Sequence, residues 1–156
     1  MVTTPNCRLL LPQETEAAEL VLKAAFEPLV RQLGRTHDPD TYRQLPEAVA
    51  NARVYGALID DGIVGVAVVT RSQAGWKVDE LAIAPEWHGN NLGSQLLQFV
   101  EAEARAASAP TLSLHTPLIM EQLVRFYKRQ GFRESHRALP KHGLDSHLRV
   151  HMNKPL

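Results

Sequence analysis

Leu81-Ala82-Ile83-Ala84-Pro85-Glu86-Trp87-His88-Gly89-Asn90-Asn91-Leu92-Gly93-Ser94 reads as an apolar strand emptying into the amino terminus of a helix. Pro85 ends the strand because its ring removes a ladder donor. The His, Gly and Asn residues after it tolerate the left-handed backbone that a tight entry into a helix requires. Downstream, Leu92, Leu96, Leu97, Val100, Ala104 and Ala107 recur at helical spacing, with Gln95, Gln98, Glu101 and Arg105 opposite, which predicts an amphipathic helix from Leu92 to Ala107. The first amides of such a helix have no partner within it and lie at the positive end of its dipole. The turn from His88 to Ser94 is therefore a candidate anion site, suited to a pyrophosphate. A plain capped loop would carry the same residue types, so the flanking sequence has to decide.

Upstream, Val54 to Ile59 and Ile63 to Thr70 are β-rich runs joined by Asp60-Asp61-Gly62, a hairpin signal, and a turn at Ser72 to Gly75 leads into Lys77 to Ala84. Three consecutive antiparallel strands follow. Before them, Cys7 to Leu11 predicts a strand and Gln13 to Gly34 a helix, with Ala17, Leu20, Val21 and Ala24 on one face. Thr36 to Asp40 is turn chemistry, and Thr41 to Ala52 a second short helix. After the long helix come a strand at Thr111 to Thr116, a helix at Leu118 to Arg129 stopped by Gly131, and strands at Phe132 to Ser135 and Leu148 to Met152. The order βααβββαβαββ predicts an α+β (α/β layered) fold, a mostly antiparallel twisted sheet flanked by helices.

At 156 residues and 17.4 kDa, one domain spanning 1–156 is expected. Seventeen Lys plus Arg balance seventeen Asp plus Glu, so no global field gathers nucleic acid or anionic lipid, and neither is expected as a partner. Cys7 is the single cysteine, which excludes an internal disulfide and a four-thiolate zinc site. The longest apolar run, Ile63 to Val69, is strand-sized and interrupted by Gly65, far short of a membrane span. Met1 to Pro12 lacks the pattern of a secretory signal. The expectation is a soluble, cytoplasmic protein.

The stretch quoted first resembles the acyl-CoA-binding signature of the GNAT superfamily of N-acetyltransferases. In that signature a Gln or Arg is followed three residues later by Gly and two further on by Gly or Ala. His88, Asn91 and Gly93 stand at these positions, departing from the signature at the first two. Leu123-Val124-Arg125-Phe126-Tyr127-Lys128-Arg129-Gln130-Gly131-Phe132 is similar to the superfamily's Ala-x-x-Leu-Tyr-x-x-x-Gly-Phe block, and Val150 to Leu156 resembles its last strand. The resemblance runs from about Gly56 to the end. It implies acetyl-CoA as cofactor, with Leu81, Ala82 and Ile83 holding the pantetheine arm and His88, Gly89, Asn90, Asn91, Leu92, Gly93 and Ser94 wrapping the pyrophosphate. Residues 13–52 would then wall the acceptor side, residues 81–107 would form the cofactor's strand-loop-helix, and residues 111–132 would bring in Tyr127.

Acetyl transfer to a primary amine needs a proton acceptor for the amine, a donor for the charged oxygen and an acid for the departing thiolate. The resemblance implies Tyr127 as the acid, although Tyr127 also completes an apolar helical face with Ile119, Leu123 and Phe126. The oxyanion donor would be a backbone N–H within Leu81 to Ile83. For the base, His115 alternates with Leu112 and Leu114 on its strand and Glu80 precedes Leu81; water alone, or purely structural roles for both residues, remain alternatives. Cys7 is expected to be a buried thiol, so direct transfer in a ternary complex is expected. His136, His142, His147 and His151 are expected at the surface or cleft without a metal. Phe26 to Arg53 would set acceptor specificity, with Glu27, Arg31, Arg35, Asp38, Asp40 and Arg43 as polar candidates. A homodimer through the last strand is a further expectation. The competing function is a non-catalytic acyl-CoA-binding or regulatory module.

Overall fold

Period-two apolar runs and left-handed turn residues put the strands close to where the sequence predicts them. The computed structural model describes residues 4–36, 38 and 40–156. In chain order the elements are β1 (Asn6–Leu9), α1 (Thr15–Gln32), α2 (Leu45–Ala50), β2 (Val54–Ile59), β3 (Gly62–Ser72), β4 (Gly75–Ile83), α3 (Leu92–Ala106), β5 (Thr111–Pro117), α4 (Glu121–Arg129), β6 (Arg133–Ala138) and β7 (Arg149–Pro155). Tight helical turns at Pro12–Glu14 and Pro85–Trp87 precede α1 and α3. The order is the expected one. Of the turn expected at Thr36 to Asp40, His37 and Pro39 lie outside the described residues, as do residues 1–3 of the amino-terminal reading.

Two helices start later than expected, each for a local reason. α2 begins at Leu45, with Pro46 in its first turn, where a missing N–H costs nothing. α4 begins at Glu121 because the Leu118 N–H donates to the Leu148 carbonyl at 2.8 Å, holding that residue to the strand side. In the β2–β3 hairpin the left-handed residues are Asp60 (φ 49) and Asp61 (φ 64), while Gly62 already pairs with Ile59. Aspartate tolerates this conformation, so the glycine is free to start the strand.

The seven strands of the described residues form one sheet in the order β1-β2-β3-β4-β5-β7-β6. Every neighbouring pair is antiparallel except β4 and β5. α1 packs on β3 and β4 from one face and α3 packs on the same strands from the other. Two apolar cores result. One joins α3 and α4 to the sheet through Leu96, Leu97, Val100, Val124 and Phe132; the other joins α1 and α2 through Leu22, Leu45, Val66 and Ala82. The last strand lies inside the sheet, bonded to β5 on one side and β6 on the other, and Val150 and Met152 are buried. It therefore has no free edge for the dimer expected through it. Among the described residues no helix is long and apolar enough to cross a membrane.

Candidate active site

The site begins where two parallel strands stop pairing. β4 and β5 are in register only at Trp76↔Leu112 and Lys77↔Ser113. The β3–β4 register then shifts between Val68↔Glu80 and Val69↔Val78, leaving Asp79 as an extra residue on β4, and a bulge of this kind bends its strand. Gly75 holds the closed end: a Cβ there would lie 2.3 Å from Thr111 Oγ1 and 2.5 Å from the Thr111 carbonyl oxygen. Beyond this point the strands diverge around a cleft of about 520 Å³. The Ala84 N–H donates to the Val64 carbonyl on β3 at 2.8 Å. Alternation therefore turns the main-chain groups of Leu81 and Ile83 to the open edge and those of Ala82 to β3. The Ile83 carbonyl is already engaged by the His88 imidazole, with Nε2 at 2.8 Å. Leu81 is left presenting both its N–H and its C=O to the cleft.

The loop that follows exposes amides. Gly89 is left-handed (φ 84) with no protein atom within 4 Å of where a Cβ would sit. Asn91, also left-handed (φ 61), is the residue before α3. The Asn90 side-chain amide donates to the Trp87 carbonyl at 3.0 Å and the His88 carbonyl at 3.3 Å, bracing the loop. The first helical bond runs from the Gln95 N–H to the Asn91 carbonyl at 3.2 Å, so the amides of Leu92, Gly93 and Ser94 have no acceptor within the helix. The Asn91 side chain does not cap them, and no acidic residue stands in the first turn. Leu92 is buried in the core. The Ser94 hydroxyl donates to Gln130 Oε1 at 3.1 Å, so both residues offer the cleft a main-chain amide. Of the ten sequence-predicted cofactor residues, Leu81, Ala82, Ile83, His88, Gly89, Asn91, Leu92, Gly93 and Ser94 line the cleft, whereas Asn90 supports it from behind. An unpaired strand edge leading to open helix amides fits a chain of amide groups ending in phosphates, as in the pantetheine pyrophosphate of coenzyme A.

Tyr127, Glu80 and His115 line this same cleft. Tyr127 comes from α4 and packs edge-on against Phe126 and Phe132, with ring centroids 5.2 Å and 6.0 Å away. It is 8% exposed, and burial pushes its pKa up to about 12. No partner for its hydroxyl stands among the described residues. Glu80 sits beside the bulge; burial, and then the Asp79 charge, raise it to about 7. His115 has an exposed edge, yet desolvation of the packed part of its ring, followed by Lys77, His151, Arg149 and His142, lowers it to about 4. Its ring lies 5.1 Å from that of His151, which stacks on His136 at 4.3 Å across β7 and β6. Among the described residues no group of three potential ligands is arranged around a metal position. Cys7 pairs with Ala57 at the far side of the sheet, and burial raises its thiol.

Some lining residues carry no local sequence signal. Of the polar acceptor-side candidates, Arg35 lines the cleft. Glu27 and Arg31 instead pair with each other on the exposed side of α1 at 3.7 Å. Arg149, only 5% exposed, reaches the cleft from β7 with Asp145 bound to it, a pairing formed by tertiary structure.

A sheet whose two parallel strands part above open helix amides is the architecture of acyl-CoA-dependent transferases. Residues 50–134, more than half of the chain, match the acetyltransferase (GNAT) domain, and the chain belongs to that family. By family it is an N-acetyltransferase that works with acetyl-CoA. Aminoalkylphosphonate N-acetyltransferase of Salmonella typhimurium is 40% identical over 65 residues, which span 40% of this chain and 42% of that relative. IAA acetyltransferase of Azospirillum brasilense is 29% identical over 158 residues, covering 94% of this chain and 100% of the relative. In fold the chain is similar to the PaiA N-acetyltransferase of Thermoplasma acidophilum, solved in complex with coenzyme A. The TM-score is 0.82 at 15% identity, over 99% of this chain and 100% of that one.

Proposed function

We propose that this protein, as one catalytic domain, moves an acetyl group directly from acetyl-CoA to a primary amine with both substrates bound, and that Tyr127 and Glu80 handle the protons. One observation carries the reading: a tyrosine hydroxyl without a partner among the described residues and a carboxyl group raised to about 7 line one cleft with the open edge of β4. Acetyl-CoA supplies an acyl group activated as a thioester. The amides of Leu92, Gly93 and Ser94 hold its pyrophosphate and Leu81 pairs with its arm. The Leu81 N–H is also the donor best placed to meet the acyl oxygen as it gathers charge. Glu80 takes the proton from the attacking amine, and Tyr127 gives its proton to the departing sulfur. The burial that raises the phenol also raises the basicity of a thiolate beside it, so the two stay matched. His115, lowered to about 4, is a weak proton acceptor and lines the acceptor side instead. Residues 13–52 form the acceptor wall, and Cys7 takes no acyl group. A reducing, cytoplasmic setting fits that single thiol.

The test combines binding with turnover. Acetyl-CoA raises the unfolding temperature saturably, by the equivalent of ~2.7 kcal/mol at a hundredfold excess over its dissociation constant. Initial velocities give intersecting lines with an amine, and Tyr127→Phe lowers kcat by about a hundredfold while leaving acetyl-CoA binding in place. Parallel lines with acyl-enzyme on Cys7 would overturn direct transfer. An unchanged kcat in Tyr127→Phe would remove Tyr127 as the acid, and acetyl-CoA binding without turnover of any amine would point to a non-catalytic binding module.

A further inference from the structure

The two ends of the cleft differ in charge. At the β4 end the bulge brings Asp79 and Glu80 together, and the Thr70 hydroxyl donates to Asp79 Oδ2 at 2.5 Å. At the other end the segment after α1, the β6–β7 connection and the start of β7 converge. Arg149 Nη1 and Nη2 donate to Asp145 Oδ1 and Oδ2, each at 2.9 Å, and Nη1 also donates to the His147 carbonyl at 2.7 Å. Arg35 Nη1 reaches Asp145 Oδ2 at 3.4 Å. One carboxylate thus faces two guanidinium groups and a net positive charge is left over. The Nε of each arginine and Nη2 of Arg35 have no protein acceptor among the described residues. Both arginines line the cleft, as do Phe26, Leu29 and Val30 of α1.

Two neighbouring imidazoles lie close enough to feel these guanidinium groups. Beyond desolvation, Lys77, His151, Arg149 and His142 lower His115, and Arg35 and Arg149 lower His142 with Asp145 opposing. Guanidinium groups bind planar or tetrahedral oxyanions through paired N–H donors. A polycationic acceptor would set like charge against this end.

We propose that the acceptor is an amine that also bears an oxyanion, a carboxylate or a phosphonate, held by Arg35 and Arg149 while its amino group lies toward Glu80 and its apolar body along α1. This rests on the acetyl-transfer reading above. The test is acetylation of amino carboxylates and aminoalkyl phosphonates of increasing length, each beside its neutral amide or amino-alcohol counterpart, by the natural protein, Arg35→Gln and Arg35→Lys. Arg35 makes one long contact and is partly exposed, so its variants keep the fold, which their unfolding temperatures check. The oxyanion compounds are expected to exceed their neutral counterparts in kcat/KM by about tenfold or more, chiefly through KM. Arg35→Gln then removes most of that ratio and Arg35→Lys retains part of it. The preferred series, carboxylate or phosphonate, identifies the anion. A ratio near one, or one that Arg35→Gln leaves untouched, overturns the inference with acetyl transfer intact. If no amine is acetylated although acetyl-CoA binds, the transfer reading fails. N-acetyl carboxylates and N-acetyl phosphonates titrated onto the protein loaded with coenzyme A then decide the inference separately. Arg35-dependent stabilisation sustains it and no stabilisation ends it.

Discussion

The two walls of the cleft are built from different parts of the chain. On the β4–α3 side, one continuous stretch from Leu81 to Ser94 presents main-chain groups: a strand edge, a left-handed glycine and open helix amides. On the α1–β7 side, side chains meet from segments far apart in sequence, with 110 residues separating Arg35 from Asp145. The first wall can be rebuilt from many side-chain sets because what it offers a ligand is main chain. The second changes its chemistry with each charged residue. This contrast suits a family that shares one acyl donor and differs in acceptor, since fold alone does not choose the acceptor.

The sharpest way to break the contrast is Asp145→Asn. The carboxyl is held well below the usual carboxylate range, first by its hydrogen bonds from Arg149, and only 6% of the Arg149 side chain is exposed. Removing the charge strands a buried guanidinium, and stability is expected to fall by about 3 kcal/mol in denaturant unfolding. Because the folded pKa lies below the unfolded one, Asp145 contributes stability above the ordinary carboxylate pKa of ~3.9 and loses it as the pH falls through the folded value. The gap between variant and parent should therefore close in acid. If the walls are independent, acetyl-CoA affinity changes by less than about twofold, within the additivity of separated sites.

Glu80→Gln tests where the walls meet. Its carboxyl, raised to about 7, is protonated and inactive as a base below that pH and ionised above it, so kcat/KM for the amine should rise through about 7 in the parent. The variant should lose that limb and about tenfold or more of its rate at higher pH. His115→Gln, at a ring already neutral above about 4, should leave the limb in place. A limb that vanished with His115 instead would reverse the assignment. The smallest effect expected is at Gly89→Ala. No protein atom crowds the added methyl, so the variant reads the left-handed turn (φ 84) alone. The strain is about 1 kcal/mol, read as lost stability where the free loop keeps the turn and as roughly fivefold weaker acetyl-CoA binding where it relaxes out of it.

Much of the first wall was legible because each of its parts is local. Pro85, Gly89, Asn91 and the Leu92–Leu96–Leu97–Val100 stripe each state a backbone conformation or a helix face, and the fold keeps those statements. Asn90 illustrates the limit. Its residue type suits the loop, but its side chain turns back to the Trp87 and His88 carbonyls and braces the turn. Glu80 and His115 were equal rivals on paper, since strand alternation says which face a side chain takes and nothing about the charges it will meet there. Arg149 and Asp145 carry no motif at all, and the last strand looks like an available edge until β6 folds over to cover it.

From residue order alone, the chain determines its elements, their succession and the turn of open amides before α3, because turn chemistry, apolar period and missing helix acceptors act within a few residues. Tertiary structure decided three things: that β4 and β5 part after two paired positions, that Glu80 sits half-buried beside Asp79, and that two arginines share one aspartate at the far end of the cleft. These depend on burial and on charges brought together across the fold, and both quantities come into being only when the sheet and its helices close.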